Sequence, residues 1–97
     1  MSESVHAQAE KDVADAVAFY SKQAGSAVAL RFLDEFERVA RLLIEHPGLG
    51  TRVAKNRRIF PLRTFPYSIV YSHPDDQVRI LVVRHQHRKP GYGDSRH

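Results

Sequence analysis

The hydrophobic period of this chain changes once, at about residue 50, and that change sets the class of fold. Before it, apolar residues recur at helical spacing; after it, they alternate as on a strand. Val28, Ala29, Phe32, Leu33, Phe36, Val39, Ala40, Leu43 and Ile44 make one continuous apolar stripe on a helix of about Ala27 to His46. Asp34–Arg38 and Glu37–Arg41 are i,i+4 pairs in the favourable order. Pro47-Gly48 then stops the helix. Upstream, Ala9, Val13, Ala16, Val17 and Tyr20 form another helical stripe, with Lys11, Asp12 and Asp15 on the other side. Gly25 ends this first helix and Ser26 suits the N-cap of the next. So short a turn makes an antiparallel helical hairpin, and its apolar stripes need a third surface to cover them.

The second half supplies that surface. Leu49 to Asn56 reads as loop. From Arg57 to Arg63 the residues alternate as a strand, which Pro61 demotes towards an edge or a bulge. Tyr67, Ile69 and Tyr71 alternate with Ser68, Val70 and Ser72, a half-buried strand. His73-Pro74-Asp75-Asp76 is made of turn residues. Val78 to Val83 is a nearly unbroken apolar run, expected to be a central strand covered on both faces. The expected architecture is α+β in a single domain over residues 1–97. A helical hairpin (about 7–46) packs on a three-stranded antiparallel sheet (about 57–88), followed by a tail (89–97). Ser4-Val5-His6 is either a frayed start or a fourth, edge strand. On the last strand, strict alternation puts Arg79, Leu81, Val83, His85 and His87 on one side. Val78, Ile80, Val82, Arg84, Gln86 and Arg88 fall on the other. Basic side chains are expected on the face away from the helices and at the sheet margin.

Charge divides along the same boundary. Residues 1–51 carry a net −3, and residues 52–97 a net +7, within a total of +4. A basic surface on the C-terminal half suits RNA, DNA or an acidic protein. The chain has no cysteine, which excludes disulfides, thiolate catalysis and cysteine-based metal sites. No apolar run is long enough to span a bilayer, and the N-terminus, with Glu3 and Glu10, lacks the apolar core of a signal peptide. A cytoplasmic protein is the simple expectation.

The order and spacing of several short motifs resemble the toxins of the RelE/ParE superfamily of type II toxin–antitoxin systems. The residues concerned are Ala9-Glu10-Lys11-Asp12-Val13 with Ala16 and Phe19-Tyr20, Arg31-Phe32, Pro47-x-x-Gly50, Arg58, and Phe65-Pro66-Tyr67 with Ile69 and Tyr71. The most specific piece is the ending, His85-x-x-Arg88-x-Pro90-x-Tyr92. The N-terminal strand of most members is reduced here to about Ser4-Val5-His6. The resemblance implies a small toxin neutralised by a cognate antitoxin whose partly disordered C-terminal segment folds over it. It also implies one of two targets: the RelE-like branch cleaves mRNA on the ribosome, and the ParE-like branch poisons DNA gyrase. One fold hosts both functions, so the fold does not choose between them.

Metal-free RNA cleavage needs a base, an acid and cations around the phosphate. His85 or His87 has the residue type for base or acid. Arg63, Arg84 and Arg88 suit phosphate, and Tyr92 suits base stacking or acid catalysis, as in ribosome-dependent relatives. His85, Arg88 and Tyr92 are therefore the catalytic candidates if the chain is a nuclease. Arg58, Arg63, Arg84, His85, His87, Arg88 and Tyr92 are the candidates for holding a target. Plainer roles stand beside these. His85 suits a hydrogen bond at a strand end, Tyr67 and Tyr71 suit packing, and His73 and His97 have no assigned role. Neither a metal site nor a cofactor is expected, because His85 and His87 lack further ligands at suitable spacing. Only Lys55 represents the lysine patch of the RelE-like nucleases, and the His85–Tyr92 ending is more like ParE-type members. The expected function is thus ParE-like gyrase inhibition. The alternatives are a ribosome-dependent mRNA endonuclease and a non-toxic module that only binds antitoxin.

Overall fold

Gly25 turns the helical half of the chain back on itself. Its φ of 94° lies where a side chain is strained, and its carbonyl and N–H serve both helices, bonding Ala29 and Ser21 at 3.2 Å. The computed structural model describes residues 3–87 together with Gly93 and Arg96. Helix α1 spans Ala7–Ala24 and α2 spans Ser26–Glu45. Gly25, not Ser26, holds the cap position of α2, because a one-residue link leaves Ser26 already inside the helix. At the other end of α1, His6 caps through Nδ1, which accepts from the Gln8 N–H at 3.1 Å. No helix among the described residues is long and apolar enough to cross a membrane.

The helices cover one face of a five-stranded sheet: β1 (Glu3–Val5), β2 (Thr51–Val53), β3 (Arg57–Pro61), β4 (Tyr67–Ser72) and β5 (Val78–His85). The order is β1-β5-β4-β3-β2. The α+β architecture is as expected, but the strand count of three or four is corrected to five and the sheet is mixed. Ser4-Val5 does pair, parallel to β5, with Ser4 opposite Arg79 and Val5 opposite Ile80. Thr51–Val53, expected as loop, pairs antiparallel with Ile59–Arg57. Its side chains are exposed, so it carries no alternation in burial to read.

The core lies between the helices and the sheet. Ala9 and Ala16 are small enough to bring α1 close to β5. Phe32, Val39 and Leu43 of α2 are wholly buried against Ile69, Tyr71 and Ile80. Tyr20, Phe32, Phe65 and Tyr67 form an aromatic cluster with ring centroids 5.1–6.2 Å apart.

A bulge decides the sidedness of β5. Val70 faces Val82 while Tyr71 faces Ile80, so Leu81 is an extra residue on β5. The strand changes phase there. Val78, Ile80 and Val83 all reach the helix-side core, while Leu81 and Val82 join Val70 and Ile59 on the other face. Strict alternation from Arg79 to Arg88 therefore fails at Leu81. Past the end of β1, the outer edge of β5 is closed by side chains. Asp12 of α1 accepts from the Val83 N–H at 3.0 Å, and Arg96 donates to the Leu81 carbonyl at 3.1 Å. Asp12 and Arg96 meet at 2.5 Å, both almost fully buried. Arg57 on the second face donates to the carbonyls of Gly93 (3.2 Å) and Arg96, while Gly93 lies against Val82. Arg57 and Arg96 are thus both buried.

Gly50, in the Pro47-x-x-Gly50 motif, has no room for a side chain. A Cβ there would stand 2.8 Å from the Tyr71 hydroxyl and 2.9 Å from the Ile59 carbonyl. That hydroxyl accepts from the Gly50 N–H at 2.9 Å and donates to the Pro47 carbonyl at 2.7 Å. Burial pushes the Tyr71 phenol above its ordinary value, with the Gly50 and Arg58 contacts offsetting part of the rise. The phenol therefore keeps its proton until strongly alkaline pH, and the stability these bonds supply is lost only as pH rises through the raised value. Tyr71→Phe leaves the Gly50 N–H and the Pro47 carbonyl without this partner. We expect a loss of about 1–3 kcal/mol in urea unfolding, with little change in slope.

Candidate functional site

The residues expected to hold a target fall into two groups at opposite ends of the sheet. Tyr67 at the start of β4 faces His85, while Tyr71 near its end faces Arg58. Four residues at roughly 3.3 Å each separate these levels by about 13 Å. Arg63, Arg84, His85 and His87 gather at the first level; Arg58 stands alone of the expected set at the second. Arg88 and Tyr92 lie outside the described residues.

At the first level, Leu62 leads from β3 into a loop that Glu35 of α2 fastens in place. Glu35 accepts from the Arg63 backbone N–H at 2.6 Å and takes both arms of Arg38 at 2.8 and 2.9 Å. Arg38 thus reaches Glu35 at i−3, where the sequence pattern pairs it with Asp34. Thr64 in this loop is held at φ +62°, an unusual conformation for a β-branched residue. The hydrogen bond from Arg38 holds the Glu35 carboxyl below its usual range, helped by the Arg63 N–H and opposed by burial. A lowered carboxylate contributes stability that is present above the unfolded value of ~4.3 and is lost as pH falls through the folded value. Glu35→Gln is expected to lower the melting temperature at pH 7 and to flatten its fall on acidification below that range. Thermal melts between neutral and acidic pH check both.

At the strand end, His85 packs edge-on against Tyr67, with ring centroids 5.2 Å apart. Its Nδ1 accepts from the His87 N–H at 3.1 Å. In the neutral ring this leaves the proton on Nε2. His87 is exposed, and its ring lies 5.2 Å from that of His85. Arg84 faces Ser68, on the opposite face from His85. Tyr67 packs within the aromatic cluster and Tyr71 anchors the loop before β2, the packing roles their alternation suggested. Among the described residues no group of three His, Asp or Glu is placed to hold a metal. Beside this margin, a groove of about 710 Å³ runs between the helical hairpin and the β3–β4 loop. Tyr20, Val28 and Phe65 give it apolar walls, and Arg31, Asp34 and Arg38 give it charge.

At the second level, Arg58 donates from Nε to His73 Nε2 at 3.1 Å, and from Nη1 to the carbonyls of Gly48 (3.2 Å) and Gly50 (2.8 Å). Its guanidinium therefore braces the loop that leads into β2. His73, which the sequence left without a role, is its partner. Glu35, Asp12 and Arg57 also went unmarked in the sequence. Apart from the Glu35–Arg38 pair, the bonds described for them cross more than 25 positions of the chain, beyond the reach of any local pattern.

Two comparisons bear on this arrangement. The family model described as "ParE toxin of type II toxin-antitoxin system, parDE" matches residues 4–90. Among solved structures, the chromosomal ParDE toxin–antitoxin system from P. aeruginosa contains a chain of the same fold, with a TM-score of 0.77. The two are 19% identical over 88% of this chain and 95% of that one. No curated protein sequence matches the chain.

Proposed function

Because the chain belongs to the family of ParE toxins of type II toxin–antitoxin systems, we propose that it inhibits DNA gyrase by binding it and is neutralised by a cognate protein antitoxin. The observation that carries the binding reading is the state of His85. One ring nitrogen is committed to a backbone N–H and the ring rests on Tyr67, which is the behaviour of a strand-end structural residue. General base catalysis needs an imidazole aimed at the reacting proton and oriented by a further group. Among the described residues around it, Arg63, Arg84 and His87 offer cationic and polar contact without an assembled acid–base pair. On this reading the protein is not an enzyme, needs no cofactor and works in the cytoplasm, where its target is.

On this reading the antitoxin is seated in the groove beside Phe65. Its apolar walls suit an amphipathic segment that folds on docking, and its charged rim, Arg31 and Arg38 beside Asp34 and Glu35, suits a segment of mixed charge. The test places purified toxin with gyrase and plasmid DNA, and in parallel with a translating extract. The proposal expects trapped, cleaved DNA in the first and intact mRNA in the second. No effect on gyrase combined with mRNA cleavage abolished by His85→Ala would replace it with the nuclease reading. No effect in either would leave only antitoxin binding.

A further inference from the structure

We propose, building on the reading of the groove beside Phe65 as the antitoxin's seat, that Arg31 and Asp34 of α2 select what docks there. The partner they select is an amphipathic helix with an acidic side chain over Arg31 and a basic one over Asp34. Among the described residues, the charged side chains lining the groove are Arg31, Asp34, Glu35 and Arg38. Their charges cancel, so net charge gives no preference between an acidic and a basic segment. Their arrangement does. Glu35 takes both arms of Arg38 at 2.8 and 2.9 Å, which closes that pair. Arg31 and Asp34 are exposed, and among the described residues neither side chain has a hydrogen bond or an ion pair.

A helix fits this groove better than a strand. The loop that forms one wall has few main-chain groups left for a strand to pair with. The Leu62 N–H goes to the Tyr67 carbonyl, the Tyr67 N–H to the Phe65 carbonyl and the Arg63 N–H to Glu35. Pro66 has no N–H, and its carbonyl accepts from Gln86. A helix satisfies its own backbone and presents only side chains. Tyr20, Val28 and Phe65 receive its apolar face. Phe19, 55% exposed and edge-on to Tyr20 at 5.3 Å, carries that apolar surface past the groove.

Arg31 and Asp34 stand three residues apart on α2, about 4.5 Å along its axis, the spacing at which side chains on one helix face are neighbours. A partner helix matches them with opposite charges three or four positions apart. The start of α2 sets the direction. It has Gly25 at its cap position, no side-chain cap and no acidic residue in its first turn, so the positive end of the helix dipole adds to Arg31. The acidic residue of the partner therefore lies towards the start of α2, and the basic one further along. A segment acidic throughout sets a carboxylate against Asp34, and a basic one sets a cation against Arg31. Either leaves one charge of the groove desolvated and opposed.

Selection of displayed amphipathic peptides on the immobilised toxin tests it. The peptides are about twenty residues long, enough to form a helix. They share one fixed apolar face, which sets the docking direction, with Glu, Lys and Ala varied at the polar positions. Wild-type toxin should enrich an acid and a base three or four positions apart in one order. Arg31→Glu with Asp34→Lys leaves the net charge of the toxin unchanged and should enrich the reverse order. A peptide selected on the wild type should bind this variant about tenfold more weakly by fluorescence anisotropy, and the difference should shrink as salt rises. Val28→Lys, which places a long side chain in the groove, should abolish enrichment while a thermal melt shows the fold retained. Peptides lost with Val28→Lys that carry the same charge pattern on both toxins would overturn the proposal and leave the seat in place. No enrichment, or enrichment that Val28→Lys does not change, would remove the groove as a seat and the proposal with it.

Discussion

Asp12→Ala is expected to lower stability by about 3–5 kcal/mol, as does removal of one partner from a buried ion pair. Asp12 and Arg96 are both nearly inaccessible, and their charged groups meet at 2.5 Å. The same carboxylate accepts from the Val83 N–H on the edge of β5 that β1 leaves uncovered. Alanine removes the carboxylate that faces Arg96 and withdraws that acceptor from the strand edge, two penalties in one substitution. Asp12→Asn keeps an acceptor but not the charge, so its loss should be smaller. A cycle combining Asp12→Ala with Arg96→Ala should show strong coupling, because one change disables the other's partner. Urea unfolding with a shared slope measures all four variants. A loss below about 1 kcal/mol for Asp12→Ala would mean that Arg96 is not held against Asp12 as described.

Phe32→Ala should cost a similar amount, about 3–5 kcal/mol, but for a different reason. Phe32 is wholly buried, with ring centroids 5.1 Å from Tyr67, 5.3 Å from Phe65 and 5.5 Å from Tyr20. Truncation opens a cavity where α1, α2 and the β3–β4 loop meet. The consequence extends to the margin, since Tyr67 is also the ring on which His85 rests. Unfolding by urea should show the stability loss. At temperatures where the variant is still folded, the His85 ring resonances should shift with it. A variant that loses stability while those resonances stay fixed would disconnect the aromatic cluster from the margin.

The sequence carried the helical hairpin well because long stripes and a glycine turn are local signals. Gly25 marked the turn, and the stripe from Val28 to Ile44 marked α2 with bounds within one residue. Strands β4 and β5 were readable too. Their sidedness was not, because the run Val78–Val83 is interrupted only by Arg79 and contains no later polar residue to betray the bulge at Leu81. Strand β2 is short and exposed, so neither period nor burial distinguishes it from loop. Asp12 read as a solvent-side residue because a carboxylate on a helix normally is one; its partners lie 71 and 84 positions away. The functional residues were legible only as types. Arginines and histidines could be named, but that Arg58 belongs to one end of the sheet and His85 to the other follows from the register alone.

On the proposed function, this chain acts by occupying gyrase and not by turning over a substrate. A titration of toxin against a fixed amount of gyrase, followed by supercoiling activity and trapped DNA, tests it most directly. Inhibition is expected to grow with toxin until the two are near equal concentration, then saturate, with no dependence on incubation time once binding is complete. Toxin at a small fraction of its target that continues to destroy RNA in proportion to time, with gyrase unaffected, would contradict it.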